Sequence, residues 1–553
     1  MTRQKTESYQ EQCYSAVIKE QITFGSVQSV EHQCGTFVNQ QKTKRGRFII
    51  NLGSNIGTLI FNLLIALWFT PYLIRNLGVA SYGLIPLITQ MASYLSIITL
   101  ALNSAAGRWI TIALERREYG EANRYFNASF FGSLFLIAIL AVPAGFAAGH
   151  IHKLISVPTG QEFQASWLMG CAIAVLFLNT LLTPFGVSTY CMNRFDLRNL
   201  ITITEHIIRV GLIVVLFALL TPQLRYVGLA MCAAALTGGA VTLQVWRRLT
   251  PVLRLSFAKF DIRAIGKLMS FGGWVAINQV GTLLFLAIDL LVVNRLFGPA
   301  AGGRYAAVLQ WSALLRTLAG TISVVFGPTV LYFYARNDID GMVNYLCRAM
   351  KFMGLMLALP IGLICGFSAP LLRTWLGPEF VNLAPLMSLM TIHLSINLAV
   401  LPLFTIQAAT NRVAVPAIVA LAMGIGNLGL ALLLAGSAGW GLYGVAAAGA
   451  IMLSAKNLLF TPLYGAYCLN RSIMVFLKPM FRIIAFTLGI AVTCYGLSRL
   501  VTLSGWFRLG GAVIAISLAY LAIVLLTQVS SEERAMLRKT LGFIMQTGKD
   551  VRA

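Results

Sequence analysis

Charged side chains inside long apolar runs are the residues of this sequence whose types and positions point to chemistry. Asp289, Arg316 and Lys456 each lie within a run long enough to cross a bilayer. A charge at the centre of a membrane helix costs roughly 2.5 to 3.5 kcal/mol on insertion scales, so it is expected to face protein or a wet cavity. A structural ion pair and a polar path through the membrane both account for Asp289.

The two cations predict an anion-binding cavity. Arg316 and Lys456 suit a diphosphate or an acidic sugar, since Arg makes bidentate phosphate contacts and Lys acts as a point charge. Asp289 is the candidate for ion coupling, and its offset from Arg316 on neighbouring antiparallel helices allows the two side chains to meet. Uncharged polar residues within spans either hydrogen-bond a hydroxyl-rich cargo in the same cavity or join helices; those assigned to the cavity are Asn278, Gln279 and Gln310.

Enzyme motifs are missing from the sequence. It contains no P-loop, no HExxH, no GxSxG and no paired Cys/His ligand set. The nine cysteines are scattered and are typical of packing residues. We therefore expect no enzyme activity, no cofactor and no metal site.

The elements that position these charges are membrane helices. Hydrophobic residues make up 58% of the 553 residues, charged residues 11%, and mean hydropathy is +0.78. Only helices satisfy every backbone polar group in lipid here, because alternation of period two is absent. An all-α integral membrane protein is predicted, with about fourteen spans at 48–73, 82–102, 125–148, 166–190, 201–220, 226–246, 268–296, 305–334, 352–372, 381–409, 413–434, 442–467, 480–497 and 507–526.

Lys and Arg predict the orientation. Of the 42 such residues, 31 lie in the two tails and alternate loops, 8 at the opposite ends of the spans, and 3 within spans. This imbalance places both termini in the cytoplasm. The net charge of +24 is thus a topology signal with attraction to anionic membrane lipids, and nucleic acid is not an expected partner.

A repeat divides the chain. Gly78 is followed after 47 residues by Tyr125, and Gly298 after 47 by Tyr345. This spacing favours two parallel, pseudo-symmetric six-helix lobes, with two helices appended. The predicted divisions are a polar cytoplasmic extension 1–47, an N-lobe 48–250, a C-lobe with a basic linker 251–467, helices 13 and 14 at 468–530, and a cytoplasmic tail 531–553.

Four segments together resemble a known family. They are TPYLIRNLGVASYG at 70–83, FDIRAIGKLMSFGGWVAINQVG at 260–281, AIDLLVVNRLFGPAAGGRYAA at 287–307 and GLYGVAAAGAI at 441–451. Over about residues 48–530 the chain is similar to the polysaccharide transporter branch of the multidrug/oligosaccharidyl-lipid/polysaccharide (MOP) exporter superfamily, which includes O-antigen and exopolysaccharide flippases. Asp289 matches the family's acidic position in the seventh helix.

The resemblance implies a V-shaped pair of lobes that flips a polyprenyl-diphosphate-linked oligosaccharide across the bacterial inner membrane by alternating access, for O-antigen, capsule or exopolysaccharide synthesis. A polysaccharide polymerase is a further partner to be tested. A lipid II flippase and a cation-coupled multidrug antiporter remain alternatives. A membrane polymerase or glycosyltransferase would need a longer outer loop or an acidic metal-binding motif than this sequence contains.

Overall fold

The computed structural model describes residues 28–257 and 261–528, and this part of the chain is helical without a β-strand. The first half comprises α1 (Gln28–Leu77), α2 (Val79–Tyr94), α3 (Ser96–Glu115), α4 (Tyr119–Gly149), α5 (Ile151–Leu154), α6 (Glu162–Cys191), α7 (Phe195–Leu219) and α8 (Leu224–Leu249). The second half comprises α9 (Ile262–Leu286), α10 (Ile288–Ser323), α11 (Gly327–Ala335), α12 (Ile339–Gly366), α13 (Ser368–Trp375), α14 (Ala384–Ile392), α15 (Leu394–Ala399), α16 (Phe404–Ala409), α17 (Ala414–Leu432), α18 (Gly441–Ser454) and α19 (Thr461–Leu469), followed by the appended α20 (Met474–Leu500) and α21 (Trp506–Thr527).

Twelve helical stretches of the described residues are long and apolar enough to cross a membrane. This confirms the all-helical membrane fold class, whereas the count of fourteen stays a prediction. One stretch, Gly273–Ala335, has 63 residues, about 95 Å at the helical rise, against a ~30 Å hydrocarbon core. It leaves helical geometry at Gly298.

The two ends of the predicted chain extend beyond the described residues. The tail at 531–553 and the first 27 residues of the extension at 1–47 lie outside them. The remainder of that extension belongs to α1, which begins at Gln28, before the predicted start of the first span.

The predicted repeat is visible in the backbone. Gly78 has φ 80° and ψ 158°, and Gly298 has φ 83° and ψ 176°. Arg117 and Asn337 both adopt the left-handed conformation, with φ of 60° and 59°. Each pair is 220 residues apart in the sequence. The same backbone breaks therefore recur at the same interval, as a duplicated bundle requires.

The two lobes meet along four helices, with α2 against α10 and α3 against α9. At this lobe contact the backbones of Gly83 and Gly303 touch, since a Cβ on Gly83 would lie 2.5 Å from Gly303 Cα. These glycines are themselves repeat equivalents, 220 residues apart. A pseudo-two-fold axis between the lobes explains why one small residue from each lobe is needed at one point.

The linker between the lobes is fastened to α4. Asn123 Oδ1 accepts a hydrogen bond from the Arg254 backbone N–H at 2.8 Å, and Asn127 Oδ1 accepts one from that of Ser256 at 2.8 Å. Their amide nitrogens donate to the carbonyl oxygens of Val252 and Arg254, both at 3.0 Å. The described part of the basic linker thus adds a backbone segment to the end of the bundle and does not hang free.

The appended α20 packs along α12. Gly354 and Gly362 of α12 leave room for Ile483 and Ile490 of α20, and a Cβ on Gly362 would lie 2.7 Å from Ile490 Cβ. Contacts of this closeness drive helix association in lipid, where burial of apolar surface from water contributes little. The two added helices are therefore attached to the second lobe through α12.

Candidate transport site

Asp289 lies in the first turn of α10 and is 8% exposed. Its Oδ1 accepts a hydrogen bond from Asn427 Nδ2 at 3.3 Å, and the Tyr305 hydroxyl lies 3.5 Å from its Oδ2. The side-chain oxygen of Asn427, Oδ1, is buried without a hydrogen-bond partner. A Cβ on Gly449 would lie 3.3 Å from Asp289 Oδ2 and 3.8 Å from Asn427 Oδ1. Two oxygens therefore border one space beside a glycine, an arrangement suited to a proton or a small cation.

Arg316 lies further along α10 and is half-buried. Its charge acts on Asp289, Tyr305 and His393. The salt bridges within the described ranges do not include the pair Asp289 and Arg316. The predicted meeting of these two side chains thus takes the form of an electrostatic interaction across a gap, without a direct ion pair.

Lys456 lies in the π-helical turn Ala455–Phe460 that interrupts the last span of the C-lobe. Its Nζ is 5.1 Å from the centroid of the Phe404 ring, a cation–π contact. The adjacent Asn457 is buried and donates from Nδ2 to Asn397 Oδ1 at 3.0 Å. Wide turns of this kind occur frequently at functional sites, and here the turn presents a half-buried ammonium group to an aromatic face.

Gln310 lies at the lobe contact. Its Oε1 accepts hydrogen bonds from Thr70 Oγ1 at 2.5 Å and from the Tyr82 hydroxyl at 3.2 Å, while its Nε2 donates to the Ala66 carbonyl oxygen at 3.2 Å. The side chain therefore joins α10 to α1 and α2 across the two lobes. Its predicted role in a cargo cavity stays a prediction, and its observed partners are protein groups.

Asn278 and Gln279 lie on α9, where the first is exposed and the second half-buried. The Asn278 carbonyl oxygen accepts a hydrogen bond from Thr282 Oγ1 at 2.9 Å. Their side chains make no hydrogen bond within the ranges that the structure describes. Their assignment to the cavity also stays a prediction.

A polar cavity of about 850 Å³ lies among α3, α6, α7 and α8, and we call it the N-lobe polar cavity. Its charged lining residues are Arg108, Arg198 and Glu205. Two guanidinium groups against one carboxylate leave a positive bias. Hydroxyl and amide groups complete much of the wall, among them Thr111, Asn179, Thr183, Thr202 and Thr242.

Glu205 is a functional candidate that the sequence analysis did not assign. It rests on Gly238, where any Cβ would collide with its carboxylate. The residue one turn later, Arg209, contacts His206 Nδ1 through Nη2 at 2.7 Å, and Glu205 and Arg209 form no salt bridge in the described part of the chain. The glycine therefore gives Glu205 its place at the cavity wall.

The signal for this cavity is a polar stripe on each of two helices. Arg198, Thr202 and Glu205 follow the spacing i, i+4, i+7 on α7, and Asn179 and Thr183 follow i, i+4 on α6. Residues at these intervals share one helix face. Arg198 entered the sequence analysis only as an orientation charge, because nothing in the sequence pairs the two stripes.

A second cavity, of about 350 Å³, is entirely apolar and lies between α1, α10, α12 and α21. Its wall includes Leu59, Leu63, Trp311, Leu315, Pro360 and Trp506. It thus joins the first helix of the N-lobe, the C-lobe and the appended helices along one lipid-compatible surface.

Paired, repeat-related lobes of membrane helices around polar and apolar cavities define a multi-pass membrane transporter. Solved structures share this fold. The lipid II flippase MurJ in its inward closed conformation has a TM-score of 0.54 and 15% identity, covering 82% of this chain and 97% of that one. The MATE multidrug transporter DinF-BH has a TM-score of 0.59 and 16% identity, covering 77% and 96%. At these identities the likeness concerns the fold.

Sequence relatives narrow the class. Residues 49–332 match the family described as "Polysaccharide biosynthesis protein". The "Uncharacterized membrane protein EpsK" of Bacillus subtilis (strain 168) is 34% identical over 505 residues, covering 90% of this chain and 99% of that protein. The chain belongs to the polysaccharide biosynthesis protein family of the MOP superfamily, which confirms the predicted resemblance. It is a membrane transporter rather than an enzyme.

Proposed function

We propose that this transporter flips a polyprenyl-diphosphate-linked oligosaccharide across the bacterial inner membrane for surface polysaccharide synthesis. Both termini lie in the cytoplasm in this proposal, as the 31 Lys and Arg residues of one side favour. The polar head group crosses between the lobes while the polyprenyl chain stays in lipid.

The N-lobe polar cavity carries the proposal. Its two guanidinium groups and one carboxylate, with a wall of hydroxyls, match a cargo that is both anionic and rich in hydroxyl groups. Arg contacts phosphate bidentately, and hydrogen bonds to charged groups contribute about 1.5 to 3 kcal/mol each. A lipophilic cation would find the wrong sign of charge in this cavity.

The apolar cavity supports a lipid-linked cargo. Its wall offers no polar group, so it suits a polyprenyl chain and excludes a sugar. Because it lies beside α1 and α10, which take part in the lobe contact, a chain seated there would remain attached to a head group held between the lobes.

Alternating access in this proposal uses the lobe contact as its gate. The Gly83–Gly303 approach and the Gln310 hydrogen bonds close the lobes on one another near the turns at Gly78 and Gly298. Separation there exposes the path to the face opposite the basic loops. Few and local contacts of this kind permit two packings of similar free energy.

Asp289 is the proposed coupling residue. Its carboxylate and the unpaired Asn427 oxygen form the space beside Gly449 that a proton or a small cation would occupy. The interaction with Arg316 links occupancy of this space to a half-buried cation on the same helix. Binding of an anionic head group near Arg316 or Lys456 would alter that balance.

Surface polysaccharide output tests the proposal in a strain that lacks the native copy. We expect Arg108→Gln/Arg198→Gln to lower output about tenfold or more at an unchanged protein level, because two charge-assisted contacts to cargo are lost. Arg316→Ala/Lys456→Ala tests the predicted C-lobe cations in the same assay. A matched control on the opposite side is Arg225→Gln/Arg373→Gln.

Full output from both double variants would reject the anionic-cargo assignment. The remaining alternatives give different phenotypes. Loss of viability with blocked cell-wall synthesis favours a lipid II flippase, and loss of drug resistance with normal polysaccharide favours a multidrug antiporter. A polysaccharide polymerase partner is tested separately, by co-purification with the polymerase encoded beside it.

A further inference from the structure

We propose that a basic pocket between α12, α20 and α21 binds the phosphate head group of an anionic membrane phospholipid. We call it the seam pocket, because it lies where the appended helices join the second lobe. The proposal concerns a resident lipid and does not depend on the cargo assigned above.

The seam pocket has a volume of about 230 Å³ and four basic lining residues. Arg348 and Lys351 come from α12, and Lys478 and Arg482 come from α20. Spacings of three and four residues place each pair on one face of its helix. No Asp or Glu is among the lining residues, all of which are described, so the pocket gathers four positive charges without an acid in its wall.

The register of α12 and α20 holds these charges together. Cys347 Sγ donates to the Val475 carbonyl oxygen at 3.5 Å, just before the basic pairs, and Ile483 packs on Gly354 just after them. Both helices run in the same direction through this contact. Lys351 Nζ donates to the Gln528 carbonyl oxygen, which brings the end of α21 to the same place.

Charges elsewhere on this basic face have acidic neighbours in the described residues. Arg471 forms a salt bridge with Asp340 at the start of the same two helices, and Arg124 with Glu121 and Asp261. The seam pocket instead concentrates cations in a volume equal to that of several waters, at about 30 Å³ each. A phosphate fits such a site, since Arg supplies paired donors and Lys a compact charge.

The surroundings favour a lipid over a soluble anion. Phe352, beside Lys351, is 58% exposed, and Phe481, beside Arg482, is 66% exposed. Both aromatic side chains face outward next to the pocket, on helices that cross the membrane. A phosphate in the pocket therefore lies at head-group depth, with apolar surface adjacent for its acyl chains. Basic pockets between helices at the cytoplasmic face commonly hold anionic lipid head groups.

Lipid binding to the purified full-length protein tests the proposal by native mass spectrometry. We expect phosphatidylglycerol to be retained in preference to phosphatidylcholine. Arg348→Gln/Arg482→Gln should weaken this retention about 30-fold, from about 1 kcal/mol for each basic residue near a lipid surface. The matched control is Arg336→Gln/Arg412→Gln, whose guanidinium groups lie over Tyr332 and Tyr467 outside the pocket.

The charge-conserving variant Arg348→Lys/Arg482→Lys should retain most of the binding. Competition between the two lipids on the unaltered protein gives a result even if a variant does not fold. Equal retention of both lipids by the unaltered protein, or undiminished retention by folded Arg348→Gln/Arg482→Gln, overturns the proposal. So does millimolar inorganic phosphate that displaces the lipid and gives the same thermal protection, because the site would then be one for a soluble anion.

Discussion

Replacing Gln310 with leucine tests whether the lobe contact is a gate. The side chain keeps a similar size but loses three hydrogen bonds, from Thr70 and Tyr82 and to the Ala66 carbonyl oxygen. Hydrogen bonds between membrane helices average about 0.6 kcal/mol and reach about 1.7 kcal/mol. Three of them together contribute about 2 kcal/mol to lobe closure. The open population should therefore rise about 30-fold.

A cysteine at position 79 reports this opening. Val79 is half-buried, and both its side chain and its carbonyl oxygen face Gly303 of the other lobe, so a thiol there reacts faster when the lobes part. Labelling by a membrane-impermeant maleimide is read at that peptide by mass spectrometry, which separates it from native cysteines. We expect Gln310→Leu to raise the labelling rate up to about 30-fold.

The matched control is Gln279→Leu, since Gln279 is also half-buried but makes no side-chain hydrogen bond in the described ranges. Its labelling rate should stay within about twofold of the parent, the effect of about 0.5 kcal/mol. If Gln310→Leu labels no faster than Gln279→Leu, the hydrogen bonds do not hold the gate and the reasoning is wrong.

Two further predictions concern the glycine contact and the coupling residue. Gly83→Ala should lower thermal stability by about 1 to 3 kcal/mol through overpacking against Gly303, whereas Gly145→Ala, whose Cβ would meet nothing within 4 Å, should not; equal melting temperatures would contradict this. Asp289→Asn should abolish the response of translocation to an imposed ion gradient in proteoliposomes while the protein still folds. The control Asp340→Asn alters an exposed carboxylate and should leave that response intact, and an Asp289→Asn protein that still responds would remove Asp289 from coupling.

Local pattern predicted the helices and much of their symmetry. Lipid forces backbone groups to pair within a segment, so apolar runs alone indicate membrane helices. Gly78 and Gly298 marked the repeat because only glycine adopts their backbone conformation without strain. Asp289 stood out for the same reason, since a carboxylate in an apolar run is costly wherever the helix lies.

What lies opposite each helix face came only from the tertiary structure. Asn427 meets Asp289 from 138 residues away, and Gln310 turns to the other lobe rather than to a cavity assigned in advance. Arg198 looked like a loop charge until α6 brought a second polar stripe beside its own. Helical periodicity assigns residues to a face, but the partner of that face depends on close packing between segments far apart in the chain, which no short stretch of sequence encodes.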